Sequence, residues 1–372
     1  MSMRSLGTQT PQIEIGELLD LCLERGASDL HLTVGTSPIL RVNGSLVRIE
    51  QFPELQPDEL RRMIYAILTQ KQRERLEDDL ELDLSYNHPG KARFRVNVYI
   101  QREALGAAFR FIPFEIHTVE ELGLPPIVAQ IARLPRGMII VTGPTGSGKS
   151  TTLAAMTDII NSERDCHIMT VEDPIEFLHY HKRAMVNQRE VGTDTHGFAQ
   201  ALRHVLRQDP DVILVGEMRD LETIQTGLTA AETGHLVLCT LHTQDAPQTI
   251  DRIIDVFPTA QQQQVRVQLA STLQGVVTQT LVPTVDGAGR AVATEVMVAT
   301  PAVRNLIREA KIHQIYSSMQ AGAKFGMHTM DSSLAALVRK NVISMQEAED
   351  RAHDVEELYR LLGRTSGGGT HA

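Results

Sequence analysis

The most restrictive feature of this chain is MIIVTGPTGSGKST, in which an apolar run stops at Thr142 and the loop GPTGSGKST, Gly143 to Thr151, follows at once. Gly143, Gly148, Lys149 and Ser150 have the full spacing of a Walker A phosphate-binding loop, set between a strand and a helix as that loop requires. Glycines let the backbone turn its N–H groups onto phosphate oxygens, and the helix start adds partial positive charge. Lys149 is suited to the outer phosphates, and the Ser150 hydroxyl to a magnesium ion. The whole loop, comprising Gly143, Pro144, Thr145, Gly146, Ser147, Gly148, Lys149, Ser150 and Thr151, is therefore expected to bind ATP in a P-loop ATPase.

Beyond this loop, apolar strands alternate with helices: HIMTVED, a helix around Phe198 to Arg207, DVILVGE, a helix from Leu221, and HLVLCTLH. That order predicts an α/β domain, a largely parallel sheet covered on both faces. Before it, residues 13 to 113 mix helix and strand without any nucleotide motif. DLHLTV, PILRVNG, SLVRIE, LELDLSYN, ARFRVNVYIQ and LGAAFRFIP read as short strands between Gly, Pro and Asn turns, with a helical region from Pro57 to about Glu77. This gives an α+β domain over 1–113 suited to binding or docking, a proline-bearing linker or hinge over 114–137 and an ATPase domain over 138–300. A helical C-terminal subdomain over 301–363 and a flexible tail over 364–372, RTSGGGTHA, complete the division.

Composition excludes several classes. With 36 basic against 46 acidic side chains the net charge is −10, which gives no whole-molecule attraction to nucleic acid or anionic lipid. No apolar run approaches the roughly 18 residues of a membrane span, and the N-terminus has no apolar signal core, so a cytoplasmic location is expected. Cys22, Cys166 and Cys239 are far apart and form no CxxC pair, which excludes a four-cysteine zinc module.

Three further segments carry chemistry. DVILVGE ends a buried strand in Glu217, the Walker B position beside magnesium and the attacking water. TVEDPIEF crowds Glu172, Asp173 and Glu176 at another strand end, and any one of the three can act as the base that polarises water. HLVLCTLHT ends near His242, which is placed either to sense the terminal phosphate or to serve as a structural histidine; His235 at the start of that strand is a weaker candidate. A phosphoryl-transfer site also calls for an extra cation. The candidates are Arg95 and Arg110 on neighbouring strands of the first domain, and Arg203 and Arg207 at i, i+4 spacing on one helix.

Taken together, GPTGSGKST, TVEDPIEF, ALRHVLRQDPDVILVGEMRD and LVLCTLHT resemble the secretion-type hexameric ATPases. Within that group ASDLHLTVGTSPILRVNG and AVRNLIREAKIHQIYSSMQAG resemble the twitching-motility PilT family, the bacterial type IV pilus retraction motors, over residues 13 to 363. The resemblance implies a PAS-like N-terminal domain joined to a RecA-like ATPase domain in a homohexamer. The ring would hydrolyse magnesium-bound ATP and sit peripherally at the inner face of the membrane. Its implied partners are an inner-membrane platform protein, the pilin fibre indirectly and an accessory retraction ATPase, with no nucleic acid. It further implies that Glu176 is the catalytic base, Glu217 the magnesium-associated acid and His242 the histidine-box residue, with Arg95 and Arg110 presented to nucleotide. AVRNLIRE, residues 302 to 309, resembles the segment tied to retraction, with Val303 where isoleucine is common. Residues 302 to 319 also read as one amphipathic packing helix whose apolar face holds Val303, Leu306, Ile307, Ala310, Ile315 and Met319; Arg304, Asn305, Arg308 and Glu309 are left to couple the ring to its load. The rival readings are a pilus-assembly or type II secretion ATPase, a PilU-like accessory ATPase and, remotely, a nucleic-acid translocase. The missing zinc module, the AVRNLIRE segment and the acidic charge argue against them in turn.

Overall fold

The structure is a computed structural model that describes residues 13–363 apart from Asn43, Pro113, Phe114 and Ala288; the tail expected over 364–372 lies outside the described residues. The chain divides into two compact units, Met1–Glu115 and Ile116–Ala372.

In the first unit α1 (Ile15–Glu24), β1 (Asp29–Thr33), β2 (Ile39–Val42) and β3 (Ser45–Arg48) precede α2 (Pro57–Ile67) and α3 (Gln70–Asp79). Then come β4 (Glu81–His88), β5 (Ala92–Gln101) and β6 (Ala104–Ile112). The strands form one six-stranded sheet in the order β3-β2-β1-β6-β5-β4, antiparallel at every pairing. The alternation in ARFRVNVY buries Ala92, Phe94, Val96 and Val98 against Leu18, Leu19 and Ile64. The single helical region expected from Pro57 is two helices. Thr69 stops the first and caps the second, accepting from the Gln72 N–H while the Gln72 side chain accepts from the Thr69 N–H.

The second unit opens with α4 (Pro126–Ala132), β7 (Gly137–Thr142), α5 (Lys149–Glu163), β8 (His167–Glu172) and β9 (Met185–Glu190). It continues through α6 (Phe198–Val205), β10 (Val212–Val215), α7 (Leu221–Glu232), β11 (Leu236–Thr240), α8 (Ala246–Asp255) and α9 (Thr259–Thr272). The antiparallel hairpin of β12 (Leu273–Pro283) and β13 (Arg290–Val298) follows, then α10 (Pro301–Arg308), α11 (Ile315–Gln320), α12 (Met330–Arg339), α13 (Met345–Glu349) and α14 (Val355–Leu361). The sheet order is β13-β12-β7-β11-β10-β8-β9, parallel from β12 to β9. β7, β10 and β11 are buried along their whole length, as strands covered on both faces must be. Alternate side chains separate to the two faces. Ile139, Val141, Leu214 and Leu238 pack with α4 and α5, whereas Met138, Ile140, Ile213 and Val237 pack with α6 to α10.

Two expectations are corrected here. Most of the stretch assigned to a linker over 114–137 is part of the second unit: Val119, Leu124, Val128 and Ile131 are buried in its core, because α4 covers the sheet beside α5. Residues 302 to 319 are not one helix. α10 ends at Arg308, Ala310 takes a left-handed φ of 57°, and the Lys311 N–H reaches back to Leu306 O, a Schellman-type stop. Val303, Ile307, Ile315 and Met319 are buried as expected, but Ala310 is exposed. Arg304 is half-buried and donates to Ala270 O, Ser271 O and Gln274 Oε1 at 2.6, 2.9 and 3.1 Å, so it caps α9 and grips the start of β12. Gln274, at a register shift in β12, in turn donates to Arg136 O just ahead of β7. α12 to α14 pack separately, on the far end of the β12–β13 hairpin through Val282, Ala293, Leu334 and Leu358.

Candidate nucleotide and catalytic site

A cleft of about 570 Å³ opens at the carboxyl edge of the parallel strands of the second unit. Its wall includes Lys149, Ser150, Glu172, Glu176, Glu217 and His242, from the ends of β8, β10 and β11 and the start of α5. Thr145, Gly146, Gly148 and Thr151 also line it. Gly143, Pro144 and Ser147 are not among its lining residues; the Gly143 and Pro144 carbonyls accept from the Lys149 ammonium at 2.9 and 3.0 Å.

The loop takes its shape because two of its positions exclude a side chain. Gly143 has φ 139°, and a Cβ there would stand 2.2 Å from Gln279 O. Gly148, the residue just before α5, has φ 88°. Gln279 on β12, only 1% exposed, closes the loop from behind: its amide donates to Ser147 O at 2.7 Å and accepts from Thr152 Oγ1 at 2.8 Å.

Glu217 is drawn into a charged cluster. His242 Nε2 is 2.8 Å from its Oε1, and Arg219 Nε donates to the same oxygen. Burial pushes the Glu217 carboxyl up, but Arg219 and His242 outweigh it, and the net effect is a carboxylate held below its usual range. Lys149 is pulled down by burial, against the opposing charges of Glu217 and Glu176. The loop that carries His242 is tied to β7, because Thr142 Oγ1 donates to Thr243 O at 2.8 Å.

The acidic box is organised around Glu172. Burial raises its carboxyl to about 7, and the bonds it accepts from Thr170 Oγ1 and Gln188 Nε2 only partly offset that. Glu176 itself is exposed at the cleft wall. His179 shares this wall as a neutral imidazole, its proton affinity lowered by burial to about 4.

Among the other sequence candidates, Arg95 and Arg110 are exposed cross-strand neighbours in the first unit, and Arg110 Nε donates to buried Asp29 at 2.9 Å. The cleft is lined by the second unit, so neither is among its residues. Arg203 is paired with Glu222 on α7. His235 has a structural place, its Nδ1 2.9 Å from Ala230 O. Reading the sequence missed Gln279, Gln188, Arg219 and His179. Gln279 lies 132 residues from its partner Ser147, and no local pattern marks it.

Residues 12–360 match the family described as type II/IV secretion system protein. The chain belongs to this family. Its similarity to the type IV pilus retractation ATPase PilT of Pseudomonas aeruginosa is 52% identity over 91% of this chain and 98% of that one. Similarity to the type IV pilus ATPase PilU of the same organism is lower, 40% identity over 94% of this chain and 92% of that one. A crystal structure of the pilus retraction motor PilT with bound ADP matches with a TM-score of 0.89 and 47% identity, over 94% of this chain and 99% of that chain. For this member of the type II/IV secretion system family, the expected architecture of an N-terminal α+β domain followed by a RecA-like ATPase domain holds, and so does nucleotide binding. No helix among the described residues is long and apolar enough to cross a membrane.

Proposed function

We propose that this chain is an ATPase that powers retraction of a type IV pilus, working as a ring of six identical subunits at the inner face of the membrane. The observation that carries the reading is the convergence of Lys149, Ser150, Glu176, Glu217 and His242 on one cleft at the edge of a parallel sheet. The match to a retraction motor along nearly the full length of both chains supports the biological half of it.

The reaction is hydrolysis of ATP to ADP and phosphate. Lys149 exchanges its bonds to Gly143 O and Pro144 O for phosphate oxygens, while the first amides of α5 receive the remaining phosphate charge. Ser150 and Glu217 supply hard oxygen donors of the kind that suit magnesium, which when bound neutralises charge on the phosphates. Glu176 takes the proton from the attacking water, and His242, hydrogen-bonded to Glu217, reads whether the terminal phosphate is present. Turnover is coupled to domain movement, which acts on the pilin fibre through an inner-membrane platform protein, with an accessory retraction ATPase as a further partner.

The test is steady-state ATPase activity of the purified chain and of Glu176→Gln, with particle mass measured by light scattering. Activity from a six-subunit particle that collapses in the variant is expected; undiminished turnover in the variant removes Glu176 as base, and an active monomer removes the ring.

A further inference from the structure

The acidic-box loop between β8 and β9 is held by side chains of β9. Gln188 lies on β9, a short strand at the sheet edge that pairs with β8 in parallel from His167↔Met185 to Glu172↔Glu190. The amide nitrogen of Gln188 donates to Glu172 Oε1 at 3.0 Å and to Phe177 O at 2.8 Å. Its amide oxygen accepts from the His179 N–H at 2.8 Å. One side chain thus touches the chain before and after Glu176. Two strand positions further on, buried Glu190 accepts from the Ile175 N–H at 3.1 Å, so both β9 side chains that face the loop hold its backbone.

This arrangement is more than a loop closing on itself. A loop that aims a base at water needs its backbone fixed, because a 1 Å displacement of a reacting group is enough to cost about 100-fold in rate. Among the described residues no hydrogen bond holds the exposed side chain of Glu176, whereas the backbone on either side of it is held, at the Ile175 N–H and at the Phe177 carbonyl. We propose that Gln188 is a positioning residue for hydrolysis, holding the acidic box through Glu172, Phe177 and His179 so that the Glu176 carboxylate meets the attacking water. The inference rests on the reading of Glu176 as base. It assigns Gln188 no contact with nucleotide, and Gln188 is not among the residues that line the cleft.

The test compares Gln188→Met, which keeps length and bulk but removes all three bonds, with Gln188→Glu, which keeps the acceptor for His179 and loses the donors. Both are made alone and combined with Glu176→Gln, in the full-length chain. For Gln188→Met, kcat is expected to fall about 100-fold, as for a misplaced reacting group. KM for ATP and the affinity for a fluorescent ADP stay within about twofold, because ground-state binding is untouched. Adding the Gln188 change to Glu176→Gln causes no further loss, as two residues acting through one step require. Wild-type kcat in both Gln188 variants, with Glu176→Gln inactive, overturns the positioning role and leaves the base in place. Full activity in Glu176→Gln overturns the base and with it the route proposed for Gln188. Equal damage to kcat and ADP affinity, or a further multiplicative loss in the double variant, shows Gln188 acting on the fold at large and also overturns the proposal.

Discussion

Replacing Gln279 by leucine isolates what the strand behind the phosphate loop contributes to nucleotide binding. The wild-type amide satisfies two buried groups, Ser147 O at 2.7 Å and Thr152 Oγ1 at 2.8 Å. Leucine fills a similar volume and satisfies neither. The Thr152 hydroxyl can rotate onto a carbonyl of the preceding helical turn, so the main cost falls on the Ser147 carbonyl. An orphaned buried acceptor costs about 1–3 kcal/mol, and we take about 2 kcal/mol for the closed loop. If the open loop escapes that cost, the binding-competent population drops and the apparent Kd rises by the same factor, about 30-fold for 2 kcal/mol. The assay is titration of a fluorescent ADP at fixed temperature and salt, with circular dichroism to verify the fold. Gln279→Glu should be weaker still, because it sets a carboxylate oxygen against Ser147 O. A Kd within about twofold of wild type in a folded Gln279→Leu protein refutes the reasoning, since an orphaned carbonyl at that position would then cost almost nothing.

Three shorter predictions follow from the same geometry. Lys149→Ala should reduce ATP turnover to background while leaving the far-ultraviolet spectrum unchanged; residual turnover above a tenth or so of wild type would remove the lysine from the reaction. Gly143→Ala should give a protein unable to retain ADP on a desalting column, because its Cβ would stand 2.2 Å from Gln279 O; normal retention would show that the loop yields freely. Glu295 is buried on β13, where burial raises its carboxyl to about 7, opposed by the Ala246 N–H and by His353, and aided by Asp245. The folded chain therefore keeps a proton on Glu295 that the unfolded chain has already released, so this group contributes stability that falls as pH rises from about 4.5 to 7, by about 3 kcal/mol at most. Glu295→Gln should remove that share of the pH dependence and leave the share of Glu172, and melting curves at pH 5 and pH 8 that change equally in both proteins would contradict it.

The parts legible in the sequence are those written in neighbouring residues. MIIVT, VILV and LVLCT are continuous apolar runs, and a strand buried on both faces has no other way to look. The phosphate loop sits between two such cues, so its place at the sheet edge could be read directly. β9 escaped because MVNQRE is mostly polar: an edge strand buries only Val186 and Glu190 deeply, and its Gln188 works on the loop instead of the core. The end of α10 escaped because Ala310 is a good helix former; its left-handed turn lies between Ile307 and Ile312, both buried in the core. Arg304 looked like a surface charge because its partners, the last carbonyls of α9, lie more than thirty residues earlier in the chain. The linker was misjudged for a related reason: three prolines within it, Pro125, Pro126 and Pro135, suggested a hinge, while the apolar residues around them find a sheet that only the fold supplies.

Arg304 and Gln274 also anchor the start of β12, the strand whose middle backs the phosphate loop. One end is gripped from the AVRNLIRE segment and is tied to Arg136 O, and Gln279, five residues on and so about 17 Å along the strand, presses on the back of the phosphate loop. A tug on α10 therefore reaches the nucleotide pocket through its rear wall, without crossing the side where water and phosphate meet.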